Sequence, residues 1–180
     1  GTDLLKLLDS LRIDKFHIVG ETIGGTIALQ LAHDHPDRLH TVTTCTSPYK
    51  FVGVPTYMDS HRLVSEEGVA AWVQRTSGRR LEPGKSDPAH DKWYVDQMSQ
   101  TAKRVVLETL AYLSQQDLTH ELPEIHTPAL ILASEQNAKE NADRTTGLVE
   151  KLPNGRLKVI PGTSGYVQHS APEQCVLAWR

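Results

Sequence analysis

The sequence predicts an α/β fold: about four parallel strands with flanking helices, and a helical lid inserted between the second and third strands. Three observations predict it. Short apolar runs rich in β-branched residues alternate with helical patterns toward both ends of the chain. Strand–helix–strand order needs a crossover, and a crossover pairs its strands in parallel. Between about 49 and 126 there are no strand signals, only helical patterns separated by polar turns. The expected division is therefore 1–48 and 127–180 as two parts of one α/β core, with 49–126 as the lid.

In chain order, residues 3–12 carry Leu4, Leu5, Leu7, Leu8 and Leu11 at helical spacing, which predicts a buried face with a cap at Thr2 or Asp3. "KFHIVG" (15–20) reads as a short buried strand. "IGGTIALQLAHDH" (23–35) reads as a helix stopped by Pro36, with Gly24, Gly25 and Ala28 small enough for close packing on a sheet. "HTVTTC" (40–45) is a second strand. In the lid, "SEEGVAAWVQRT" (65–76) predicts a helix capped by Ser65. "RLEPGKSDP" (80–88) is a turn-rich break, and two further helices follow in 91–100 and 101–116. "PALILAS" (128–134) is a third strand, 141–152 a helix, "RLKVIPG" (156–162) a last strand and "APEQCVLAW" (171–179) a last helix. Residue 1 leads straight into the first helix with no strand before it, as if the chain began inside a longer fold.

Composition narrows the function classes. The net charge is −3, from 19 basic and 22 acidic residues mixed along the chain. A nucleic-acid surface needs a clustered basic stripe, and "RTSGRR" (75–80) reads as a solvated helix end, so no nucleic-acid partner is expected. No run approaches the ~20 apolar residues of a membrane span, and no signal peptide is visible. Cys45 and Cys175 are too few and too far apart for a disulfide framework or a Cys-x-x-Cys metal site. A soluble, cytoplasmic protein is expected. In "HDH" (33–35) the two histidines are two residues apart, and such positions do not share a helix face. The other histidines lack ligand spacing, so neither metal nor cofactor is expected. "GETIGG" superficially resembles a phosphate loop but lacks its Gly-Lys-Ser/Thr ending.

Three ordered blocks carry a resemblance that spans essentially the whole chain. They are "DLLKLLDSLRIDKFHIVGETIGGTIALQLAHDHPDRLHTVTTCTSP", "DLTHELPEIHTPALILASEQN" and "LPNGRLKVIPGTSGYVQHSAPEQC". Together they resemble the C-terminal two-thirds of an α/β-hydrolase, of the lactonase, esterase and haloperoxidase-like branch that includes the 3-oxoadipate enol-lactonases. The resemblance implies a nucleophile elbow at "GETIGG", a strained strand-to-helix turn that presents its central side chain above the sheet. It places the nucleophile at Thr22, where serine is the rule. It places the acid at Asn137, where aspartate is the rule, and the base at Gly165, where histidine is the rule. One oxyanion donor would be the N–H of Ile23. The second would come from a loop after an early strand that this chain does not contain.

Each departure has a chemical meaning. A β-branched residue tolerates a strained φ poorly, and threonine acts as a nucleophile only beside a suitable base. An asparagine accepts a hydrogen bond from an imidazole but cannot stabilise an imidazolium. Glycine moves no proton. His169 is the local imidazole that could replace the base, or it is simply a helix-start histidine. Glu135, Glu140 and Asp143 could replace the acid, or they form a solvated loop and helix start. Trp72, Trp93, Tyr94, Met98 and Tyr112 could line a pocket facing Thr22, or they are lid core. The leading expectation is a catalytically degenerate domain holding a small apolar or acyl ligand under the lid. A second is an active ester or lactone hydrolase using Thr22, His169 and Glu135 or Asn137, with the missing half supplied elsewhere. A third is an interaction module that pairs with a partner chain or a second copy through the open sheet edge at 15–20.

Overall fold

A computed structural model describes residues 1–82 and 84–179; Pro83, within the expected break at 80–88, lies outside the described residues. Four strands, β1 (Phe16–Glu21), β2 (Leu39–Cys45), β3 (Ala129–Ser134) and β4 (Gly155–Ile160), form one sheet in the order β1-β2-β3-β4. Every pairing is parallel, with Val19 opposite Thr43, Thr44 opposite Ile131 and Ile131 opposite Leu157. The parallel pairing is the one that the alternation of elements predicts.

Helices cover the sheet unequally. On one face α2 (Ile23–Asp34) and α8 (Thr146–Lys151) pack with the segment 118–125, and Ala28, Leu29, Val42, Leu122, Ile125, Ile131 and Leu148 form the main core. On the other face α9 (Val167–Ser170) and α10 (Pro172–Trp179) cover Leu130, Leu132 and Ile160. Cys45 and Cys175 are buried there as free thiols. β3 lies between these two layers and is buried at all six positions, which is why "PALILAS" is apolar without alternation. β1 has only β2 beside it, and its Val19 is 48 % exposed next to Thr43, which Trp179 reaches with its indole N–H at 3.1 Å. The open parallel edge expected at 15–20 is therefore present.

Between β2 and β3 the chain makes a helical insertion: α3 (Pro55–Glu67), α4 (Val69–Thr76), α5 (Pro88–Ser99) and α6 (Lys103–Leu113). It has its own small core of Val64, Trp72, Val73, Val106 and Leu110. Its neck is tied by two backbone bonds, Phe51 N–H to Gln116 C=O at 2.9 Å and Leu118 N–H to Tyr49 C=O at 2.9 Å. The Lys50–Asp117 ion pair at 2.9 Å flanks them.

Four local expectations are corrected. The stretch 65–76 is not one helix capped by Ser65: Ser65 lies in the last turn of α3, and Gly68 at φ 91° and ψ 172° turns the chain into α4. The helix expected at 141–152 is shorter: residues 142–144 form a tight turn and only α8 is helical, while a separate short helix, α7 (Glu135–Glu140), precedes it, capped by the Ser134 hydroxyl, which accepts the Asn137 N–H at 3.1 Å. The first helix, α1 (Thr2–Ser10), is capped by Gly1 without any side-chain bond. It buries none of its residues fully. Leu4 and Leu5 reach the core, but Leu7 and Leu11 are more than half exposed because no described element covers that side.

The conformation at Gly68 is one that residues with a Cβ rarely adopt. Gly68→Ala should lower the unfolding free energy by ~1–3 kcal/mol in urea titrations.

Candidate functional site

β1 passes into α2 through a turn whose centre is Thr22, at φ 49° and ψ −113°. That conformation is costly for a β-branched residue, of order 1–3 kcal/mol, and persists only where the surroundings over-determine it. They do. A Cβ on Gly20 would lie 2.3 Å from the backbone of Gly24 and Gly25, and one on Gly25 would lie 2.0 Å from the Ser47 hydroxyl. The Thr22 N–H also donates to the Cys45 carbonyl at 3.1 Å. Gly24, the second glycine of the motif, is different from expectation: a Cβ there would meet nothing within 4 Å. Its partner Gly20 needs Gly24's bare backbone in place, while the crowded helix position is Gly25.

The elbow shape is kept, and the groups expected around it are otherwise engaged. Thr22 Oγ1 is buried and has no hydrogen-bond partner. Asn137 spends its amide locally, donating from Nδ2 to Ser134 Oγ at 3.0 Å and accepting at Oδ1 from Asn141 Nδ2 at 3.1 Å. Glu135 is turned to Lys139 at 2.7 Å and to the Gly162 N–H at 2.8 Å. Neither residue bonds to an imidazole, so the structure does not bring together the orienter and base expected for Thr22 chemistry.

Gly165 is packed against the lid. A Cβ there would lie 2.8 Å from the Arg80 carbonyl oxygen, and that same oxygen accepts the Tyr166 N–H at 3.0 Å. Beside it, Glu82 Oε1 accepts the N–H groups of Ser164 at 2.7 Å and Gly165 at 2.9 Å, while Oε2 meets Lys85 at 2.8 Å. Glu82 is only 6 % exposed. Burial disfavours its charge, but the Lys85 ammonium and the two loop N–H groups outweigh that cost and hold the carboxyl at about 2. Sequence reasoning missed Glu82, and nothing in the spacing marks it, because its loop partners lie 82 and 83 positions away.

His169, on α9, does stand beside the elbow, but it faces the wrong neighbour for the expected role. Its Nε2 is 3.6 Å from Glu21 Oε1 and is buried without a hydrogen bond. Its ring packs tilted against His90 at 5.1 Å and edge-on against Tyr94 at 5.2 Å, both from α5. Among the described residues, those lining the cavity above Thr22 include Glu21, Tyr94 and Tyr166 but not His169.

That cavity is about 880 Å³ and lies between the elbow and the lid. Thr22 and Ile23 form part of its floor; Phe51, Trp72, Leu110 and Leu113 supply apolar wall. Trp72 and Tyr94 take the lining positions expected of them. Trp93 does not, being 58 % exposed on the outer side of α5, and Tyr112 is likewise 64 % exposed. Burial, reinforced by Glu21 and Tyr166 and opposed by Arg80, pushes the Tyr94 phenol up to about 12. Arg80 itself stacks over Trp72 at 5.1 Å and donates to Thr76 at 2.6 Å. Among the described residues no three metal-ligating side chains converge, and no helix is long and apolar enough to cross a membrane.

Comparison with known proteins gives a consistent outcome. The profile of the alpha/beta hydrolase fold family matches residues 2–172. The chain is 27 % identical to "Putative carbamate hydrolase RutD" of a Caulobacter species, covering 96 % of this chain and 67 % of the relative. It is 24 % identical to 3-oxoadipate enol-lactonase 2 of Acinetobacter baylyi, covering 89 % of this chain and 61 % of that protein. The enol-lactonase structure from Burkholderia xenovorans superposes with a TM-score of 0.84 at 20 % identity, covering 98 % of this chain and 68 % of that one. The chain thus spans roughly two-thirds of the length of the proteins it matches.

Two outcomes follow from the packing. Gly20→Ala should cost about 3 kcal/mol or more, because a backbone must shift, whereas Gly24→Ala should be neutral or stabilising by up to ~1 kcal/mol; chemical denaturation separates them. The stabilisation from Glu82 is present above its ordinary value of 4.5 and is lost as pH falls toward about 2. It should amount to ~3 kcal/mol at most, and Glu82→Gln should flatten the stability profile in that window.

Proposed function

We propose that this chain, which belongs to the α/β-hydrolase fold family, is a catalytically degenerate member that binds a small apolar or acyl ligand between elbow and lid. The observation that carries this reading is at the base position. Gly165 has no room for a side chain beneath Arg80, and its loop is held by the Glu82 carboxylate. Thr22 Oγ1 without a partner and the Asn137 amide bound to Ser134 and Asn141 support the same conclusion. Loss of one member of such a triad removes most turnover, and further losses add little. The strained turn at Thr22 persists because Gly20 and Gly25 pack against backbone and Ser47, a constraint of folding that is independent of chemistry. The cavity of about 880 Å³ is within the usual range for a small-molecule site, and enol-lactonase relatives support an ester, lactone or acyl class of ligand.

A second reading is favoured by one observation. β1 pairs on one side only and leaves Val19 about half exposed, so the edge also suits a partner strand from another chain.

A fluorophosphonate probe and a panel of nitrophenyl esters should give no labelling and no turnover above background. Hexanamide, a neutral acyl probe, should change tryptophan fluorescence saturably, and Trp72→Phe should reduce that change. Stoichiometric labelling at Thr22 would overturn the loss of chemistry, and failure of hexanamide to bind would overturn the ligand reading.

A further inference from the structure

A side recess of about 40 Å³ lies between the ends of β2 and β3 and α7, lined among others by Thr46, Ser47, Asn137, Asn141 and Arg144. It shares Thr46, Pro48, Asn137, Asn141 and Arg144 with the large cavity, so the two are continuous. One water needs about 10–15 Å³ measured this way, so the recess holds a group of about three heavy atoms.

Its chemistry is one-sided. Among the described residues, Arg144 is the only charged one lining it. The Arg144 side chain forms no hydrogen bond or ion pair among the described residues, and its charge acts on Tyr57 in the wall of the main cavity. Thr46 Oγ1 is buried without a hydrogen-bond partner, on a backbone held at φ 51°. A buried hydroxyl left unpaired is costly, and an unpaired guanidinium presents a planar fork suited to two anionic oxygens. Asn137 matters here for what it lacks. An aspartate at that position would set a negative charge in the wall of the recess, whereas the amide leaves no carboxylate among the described residues of that wall; Glu140 lines the adjoining cavity.

We propose that the recess binds the carboxylate of a small organic acid, with Arg144 and the Thr46 hydroxyl as donors, while the acid's apolar part occupies the main cavity beside Phe51 and Leu113. The substitution of asparagine at 137 thereby converts a position of lost acid–base chemistry into one that admits an anion. This inference rests on the ligand-binding reading above and specifies its ligand class.

Calorimetric titration of the chain with hexanoate and with hexanamide tests it, since the two probes differ only in head-group charge. Hexanoate should bind at least about tenfold more tightly, as expected for a charge-assisted pair. Arg144→Met should remove that preference, with an unchanged circular dichroism spectrum and urea midpoint reporting that the variant is folded. Asn137→Asp should weaken hexanoate by a similar factor through like-charge repulsion. Equal binding of the two probes by the unmodified chain, or a preference that survives Arg144→Met, overturns the anion recess and leaves the cavity reading standing. Binding of neither probe overturns both.

Discussion

The backbone contact between Gly20 on β1 and Gly24–Gly25 on α2 is the constraint from which the rest of the site follows. It brings a strand and a helix within a distance that no Cβ permits, and the turn joining them must then take the strained conformation seen at Thr22. That turn places residues 22 and 23 on the floor of the cavity and seats α2 against β1 and β2. Ala28 and Leu29 are completely buried as a result. A threonine in place of serine is tolerated because the packing over-determines the backbone. The geometry that presents residue 22 above the sheet also serves as a structural corner, held by the packing of Gly20 and Gly25.

A second consequence concerns how the lid is held. The loop at 164–166 is fastened to the lid by backbone bonds to Arg80 and by the Glu82 carboxylate. A charge buried to this extent is stable only when its lone pairs are met, and here two N–H groups and an ammonium meet them. The brace uses the space that an imidazole at 165 would need. An imidazole at 165 and the contact with Arg80 therefore compete for one volume, and in this chain the contact with Arg80 fills it.

Much of the fold was legible in the residues. β3 reads as continuous apolar sequence because both its faces are covered, and β2 reads as β-branched for the same reason. The lid's position was visible as an absence of strand signals over 49–126. Helix boundaries were less legible. Gly68 acts through a positive φ that divides what periodicity alone would join, and Ser134 caps a short helix that periodicity did not mark. The α1 stripe misled in another way. Helical spacing of Leu7 and Leu11 shows which face is apolar, but not whether another element lies against it.

The sequence by itself determined the α/β class, the parallel pairing implied by the crossovers, and the identities Thr22, Asn137 and Gly165 at three positions that a resemblance makes meaningful. These are properties of local pattern and spacing. Only the tertiary structure decided that His169 faces Glu21, that Trp93 points away from the cavity while Tyr94 enters it, and that Glu82 and Arg144 belong to the site. The reason is physical: each depends on which side chains from distant segments share a volume. A carboxylate and the loop amides that donate to it lie more than eighty residues apart, and no local signal can connect them.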